Sequence, residues 1–107
     1  MFESNGTIEK TYVTPPEAVG AAIAAVCQEQ GHHLGSVSPD GSRYELNTKR
    51  TALSWGVAMA MTLSPGASGT DVRVDYDNVP NSPKALLDGR KNAKTVEKFL
   101  TELDAKL

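Results

Sequence analysis

Bulky and small side chains alternate along residues 53–63. The odd positions are all large and apolar: Leu53, Trp55, Val57, Met59, Met61 and Leu63. The even positions between them are small: Ser54, Gly56, Ala58, Ala60 and Thr62. Because successive side chains of a β-strand point to opposite faces, the pattern predicts a long strand with one bulky face and one nearly bare face. The bulky face must be covered by another layer of structure.

Shorter patterns predict the remaining elements. Alternating polar and apolar residues indicate strands at 7–13, 32–37, 43–48 and 71–77. The segment Thr14-Pro15-Pro16-Glu17 combines a capping hydroxyl, prolines suited to a first turn and an acid three residues after the cap. It predicts a helix over residues 15–30 that ends at Gly31. A final helix has an apolar stripe made of Ala93, Val96, Phe99, Leu100, Leu103 and Leu107.

These elements follow the order β-α-β-β-β-β-α. Turn-forming residues at 38–42 and 64–69 join neighbouring strands as hairpins, which favours an antiparallel sheet. Both helices need an apolar surface to cover, so we expect an α+β fold with two helices on one face of a five-stranded antiparallel sheet. The length of 107 residues fits one domain, residues 1–107, with a flexible start over residues 1–6.

The charge and cysteine content narrow the classes of partner. Eleven basic and thirteen acidic residues give a net charge of −2, so neither nucleic acid nor a membrane surface is an expected partner. The longest mostly apolar stretch, residues 18–27, is too short to span a bilayer. The single cysteine, Cys27, has no partner for an internal disulfide, and the first residues lack a signal-peptide pattern. We therefore expect a cytoplasmic protein.

Several motifs resemble those of a known group of domains. They are Ser54-Trp55-Gly56 before the long strand, Gly69-Thr70 with Val72 and Val74 in the next strand, and Leu87-Asp88-Gly89 with Asn92, Val96, Phe99 and Leu100 in the last helix. Together they resemble a family of small, largely uncharacterised bacterial domains with the same β-α-β-β-β-β-α order. That family has polar residues where this chain has Ala58 and Ala60. The resemblance implies a fold and transfers no active site.

A more distant resemblance is topological. The first strand, the Pro-Pro-Glu helix and the long final helix look like a reduced version of the helix-grip domains that bind lipids and polyketides. A shared topology does not assign a function.

No set of residues predicts catalysis, a metal site or a cofactor. Consecutive residues of a strand face opposite ways, so His32 and His33 cannot easily share a metal. Cys27, near the negatively charged end of its helix, is expected to behave as a small apolar residue. The carboxylates of Asp71, Asp75 and Asp77 fit a solvated outer face better than acid–base catalysis. We expect no enzyme activity.

A weak anion site is predicted at Gly89, Arg90 and Lys91. Free amides at a helix start, with two cations beside them, suit a phosphate or carboxylate. The alternative is a close packing contact at the glycine followed by a solvated basic turn.

Two binding hypotheses remain for this chain of otherwise unknown function. In the first, the small face at Ala58 and Ala60 is a protein interface that makes the chain an interaction or assembly module, with a homodimer as one form. In the second, a small apolar ligand is carried between the sheet and the last helix, in a pocket lined by Trp55, Met59, Met61, Phe99 and Leu103. The respective alternatives are a harmless surface of small residues and an ordinary filled core.

Overall fold

The computed structural model describes residues 4–51, 55–80, 82 and 88–107. The elements are β1 (Gly6–Tyr12), α1 (Pro16–Gln30), β2 (His33–Val37), β3 (Arg43–Asn47), β4 (Val57–Gly66), β5 (Gly69–Asn78) and α2 (Asp88–Asp104). This order confirms the predicted β-α-β-β-β-β-α arrangement and the α+β class.

The five strands form one antiparallel sheet in the order β1-β5-β4-β3-β2. The long strand β4 lies in the middle, with β3 and β5 on its two sides. In this register Ala60 lies between Glu45 of β3 and Asp75 of β5. The hairpins predicted from the turn residues are therefore present, and β1 completes the sheet beside β5.

Both helices cover the bulky face of the sheet. The odd positions of β4, from Val57 to Leu63, are buried together with the inner residues of β5 and the apolar stripes of α1 and α2. Phe99 and Leu103 of α2 are at most 1% exposed. The even positions Ala58, Ala60 and Thr62 lie on the other side of β4 and remain half-buried. We call that side the helix-free face.

Strand β4 begins later than the alternation predicts. It starts at Val57 rather than at residue 53, because Gly56 adopts a left-handed backbone with φ of 96° that breaks the alternation. Trp55 consequently does not join the bulky face: its side chain is 51% exposed, and the Arg50 guanidinium stacks 4.2 Å from its ring centre. Leu53 lies outside the described residues.

The ends of the two helices differ from the prediction in detail. Pro15, not Thr14, is the N-cap of α1, and no side chain caps that end. The Thr14 carbonyl instead accepts a hydrogen bond of 2.6 Å from the Thr70 hydroxyl, which ties the loop to β5. Gly31 ends α1 with φ of 76°, as predicted. The buried stripe of α2 ends at Leu103, since Leu107 lies beyond the helix and is 40% exposed.

Candidate functional site

The helix-free face carries a depression of about 660 Å³. Its floor includes Ala58 and Ala60 of the central strand. Polar side chains of the flanking strands form its two sides: Glu45 and Asn47 on β3, and Asp75 and Asp77 on β5. The two alanines that the sequence singled out therefore lie together at the base of an open cavity.

Strand register explains why the depression forms there. Ala58 is paired with Asn47 on one side and Asp77 on the other, just as Ala60 is paired with Glu45 and Asp75. A methyl group thus lies between two longer polar side chains in each of these rows. Side chains on one face of a strand recur every second residue, so Thr62 and Ser64 lie farther along the same face of β4.

A second depression continues the first along the same strand. It encloses about 560 Å³ and lies beside β4, over Asp71 and Arg73 of β5, with Thr62 and Ser64 of β4 on one side and Glu9 of β1 on the other. Ala58 and Ala60 thus line the first depression, and Thr62 and Ser64 line the second. We call the two depressions over these four residues the outer trough.

The sides of the outer trough are charged, although the small residues of β4 that line it are not. Arg43 pairs with Glu45 at 3.0 Å on β3, and Arg73 pairs with Asp75 at 3.2 Å on β5. The Thr7 hydroxyl also donates to Asp75 at 2.7 Å. This hydrogen bond, followed by the nearby Arg73, lowers the pKa of Asp75, so its carboxylate is ionised at neutral pH. The charges come from neighbouring strands, which the alternation within β4 alone does not reveal.

Four of the five residues predicted to line an apolar pocket belong to the core. Met59 is 2% exposed, Phe99 is 1% exposed, and Met61 and Leu103 have no exposed surface. They are part of one cluster of buried side chains between the sheet and the helices. Trp55 is not with them, because the turn at Gly56 places it on the surface.

The two histidines face opposite sides of the sheet, as predicted. His32 lies on the helix side, where its Nδ1 accepts a hydrogen bond of 3.0 Å from the Lys49 amide and its ring centre is 5.8 Å from that of Phe99. Burial lowers its pKa. His33 lines the outer trough instead. Within the described ranges, no three His, Cys, Asp or Glu side chains are grouped as a metal site would require.

The first turn of α2 contains the predicted anion residues Gly89, Arg90 and Lys91. It also contains Asp88, which is only 9% exposed and accepts a hydrogen bond of 3.0 Å from the Asn78 side chain. A carboxylate already lies at the positive end of the helix and would repel a bound anion. This arrangement weighs against the anion site, which stays a prediction.

A buried polar cluster near one end of the trough was not predicted as a unit. The Asn92 amide donates to the Ser4 carbonyl and to the Asn78 side chain, each at 2.9 Å. The Ser4 hydroxyl in turn donates to Asp77. The cluster connects the start of α2 to the residue segment before β1 and to the end of β5. One sign of this cluster is present in the sequence. Asp88 and Asn92 lie one helical turn apart, and both are among the residues that resemble the family of bacterial domains.

Cys27 is buried and has no role in the trough. It is 3% exposed on α1, and burial raises the pKa of its thiol to about 11. The neutral thiol therefore packs as a small apolar group, as the sequence predicts.

Comparisons with known proteins show that the chain shares its fold with solved structures, and they show nothing beyond the fold. Neither a family model nor a curated protein matches this chain. A crystal structure of a protein from Chromobacterium violaceum is similar over 95% of this chain and 96% of that one, with 14% identity and a TM-score of 0.64. Ara h 8.0201 is similar over 94% and 95% of the two chains, with 9% identity and a TM-score of 0.60.

A third similar structure is the di-domain ARO/CYC StfQ from the steffimycin biosynthetic pathway. This chain aligns over 98% of its own length and 50% of that protein, with 9% identity and a TM-score of 0.54. At such identities the likeness shows a shared helix-grip-like fold alone. Separately, none of the helices in the described segments is long and apolar enough to cross a membrane.

Proposed function

We propose that this protein is a non-enzymatic binding module that engages a partner through the outer trough. The observation that supports this most directly is the depression of about 660 Å³ above Ala58 and Ala60. Its volume is within the range of about 300–1,000 Å³ that is usual for ligand sites. The trough is also open to solvent rather than enclosed. Such a shape suits a partner that lies on the face of the sheet better than a small molecule that must be surrounded by protein.

The chemistry of the trough favours binding over catalysis. Its carboxylates are solvent-facing, and two of them, Glu45 and Asp75, are paired with arginines of their own strands. General acid–base catalysis needs a group whose pKa is moved toward neutrality, usually by enclosure. The pKa of Asp75 moves the other way, because its hydrogen bond to Thr7 and the nearby Arg73 stabilise the charged form.

The proposal can be tested in the protein's native host with a photo-crosslinking amino acid placed at Ser36, an exposed residue at the rim of the depression. Ala21, on an exposed part of α1, is the matched control position. We expect irradiation to give an adduct of defined mass from position 36 and none from position 21. Equal adducts at both positions, or none at either, would contradict the binding function. An adduct of twice the chain mass would identify the partner as a second copy.

A second candidate is the carriage of a small apolar ligand between the sheet and α2. The helix-grip-like fold shared with a biosynthetic ARO/CYC favours it. The full burial of Met61 and Leu103 weighs against it, since a ligand must displace or share their space. Native mass spectrometry of protein taken directly from its host tests this candidate. A retained mass of a few hundred daltons, reduced by Met61→Ala, would support it, and a bare chain would count against it.

A further inference from the structure

We propose that the occupant of the outer trough is an extended, basic peptide segment of a partner protein. This inference rests on the binding function proposed above and adds the chemistry of the partner. It follows from three properties of the trough: its charge, its length and direction, and the spacing of the charged groups along its sides.

Negative charge is concentrated on the helix-free face. The described strand residues that face this side include five carboxylates and two guanidinium groups, namely Glu9, Glu45, Asp71, Asp75 and Asp77 against Arg43 and Arg73. The whole chain carries a net charge of only −2, so this face is more acidic than the chain as a whole. Such a field attracts cationic partners and repels a second copy of the same face.

The shape of the trough matches an extended chain. The small residues that line its two depressions follow β4 from Ala58 to Ser64, and an extended segment over the same six intervals would be about 20 Å long. From the level of Ala58 to that of Thr62, the strands β3 and β5 lie on either side of β4, roughly 10 Å apart, which leaves the width of one extended chain between their side chains. A helix, about 10–12 Å in diameter with its side chains, would not fit between them.

The charges along the sides predict a specific pattern in the partner. Asp77 lies at the level of Ala58, and Glu45 and Asp75 lie at the level of Ala60. The next level, at Thr62, has the two arginines, and the level of Ser64 has Asp71. Residues of an extended peptide on one face recur at the same interval of about 6.8 Å. We therefore expect lysine or arginine at positions i, i+2 and i+6, and a neutral or acidic residue at i+4.

The test uses fluorescence anisotropy with a labelled peptide, Lys-Ser-Lys-Ser-Ser-Ser-Lys, titrated with the full chain at low salt. A peptide of the same composition with its three lysines consecutive is the matched control. We expect the patterned peptide to bind more tightly and added salt to weaken it. The double variant Glu45→Gln with Asp75→Asn should weaken binding by roughly three- to tenfold, since exposed charge pairs contribute modestly. Glu17→Gln, on the exposed first turn of α1, should have no effect.

Several outcomes would overturn the inference. They are the absence of binding at millimolar peptide, equal affinity for both peptides, and unchanged affinity in the double variant with circular dichroism showing a native fold. Displacement of the peptide by an equal concentration of spermine would assign the trough to small cations instead. A dimer in sedimentation without peptide, lost on Ala60→Lys, would assign it to a second copy. If crosslinking at position 36 succeeds while the peptide fails, the binding function stands and only the basic partner is wrong.

Discussion

The two faces of strand β4 differ although they alternate residue by residue. On the helix side, Val57, Met59, Met61 and Leu63 are each at most 4% exposed. On the helix-free side, Ala58, Ala60 and Thr62 stay half-buried beneath the charged side chains of β3 and β5. The helix side of β4 is fully packed against other residues of the chain, whereas the helix-free side has open space above it.

This contrast separates a stabilising surface from a binding surface within one element. Burial of large apolar side chains drives folding, so changes on the helix side should act mainly on stability. Small residues on the other face contribute little to the core and leave a cavity, so changes there should act mainly on binding. The following experiments test that division, beginning with the largest expected effect.

The first is Met61→Ala on the helix side. Met61 has no exposed surface, so its truncation should lower the free energy of unfolding by about 2–5 kcal/mol, measured by urea denaturation. Ala60→Ser, one residue away on the other face, is the matched control. A loss below about 1 kcal/mol would indicate that the site already has space or collapses readily, and would strengthen the apolar-carrier alternative.

The second is Asn92→Ala, at the polar cluster that connects the two faces. Its amide donates to Ser4 and Asn78, and removal leaves the buried Ser4 carbonyl and the half-buried Asn78 side chain without that donor. We expect a loss of about 1–3 kcal/mol in the free energy of unfolding. Thr95→Ala, nearby on α2, should cost less, because its hydroxyl donates to the Lys91 carbonyl of the same helix at an exposed position. Equal losses would remove the special role assigned to the cluster.

The third experiment compares His32 and His33, which are adjacent in sequence but lie on opposite sides of the sheet. Burial lowers the pKa of His32 below 6.5 in the folded protein, so the unfolded state binds more protons between that lowered value and 6.5. Stability should therefore fall as the pH decreases through this window. His32→Gln should flatten the dependence in urea titrations at several pH values, whereas His33→Gln should retain it because His32 is still present. Retention of the full dependence in His32→Gln would show that another group causes it.

The smallest effect is expected for Ala60→Lys on the helix-free side. The new ammonium group would lie between Glu45 and Asp75 in the trough, where it would be solvated and near opposite charges. We expect the free energy of unfolding to change by less than about 0.5 kcal/mol, while crosslinking to a partner from a neighbouring trough position is lost. A large loss of stability would mean that Ala60 is part of the folding core, contrary to the division between the two faces.

The sequence predicted the elements of the fold well because local patterns carry that information. Alternation in β4 and β5 and the helical spacing of Val96, Phe99 and Leu103 each reflect which side of one element meets the core. The sequence also pointed to Ala58 and Ala60 as unusual. It did not reveal that Gly56 interrupts the alternation and places Trp55 on the surface, because a single left-handed residue has no periodic signal.

What the sequence by itself determined is the order of strands and helices and the two unequal faces of β4, since both follow from the intrinsic geometry of strands and helices. Only the tertiary structure decided which charges surround the alanines. Glu45 and Asp75 meet at Ala60 through hydrogen-bonded register between strands, and Asn92 meets Ser4 across 88 positions of sequence. Such long-range pairings depend on how the whole sheet closes and packs, so no local pattern of residues specifies them.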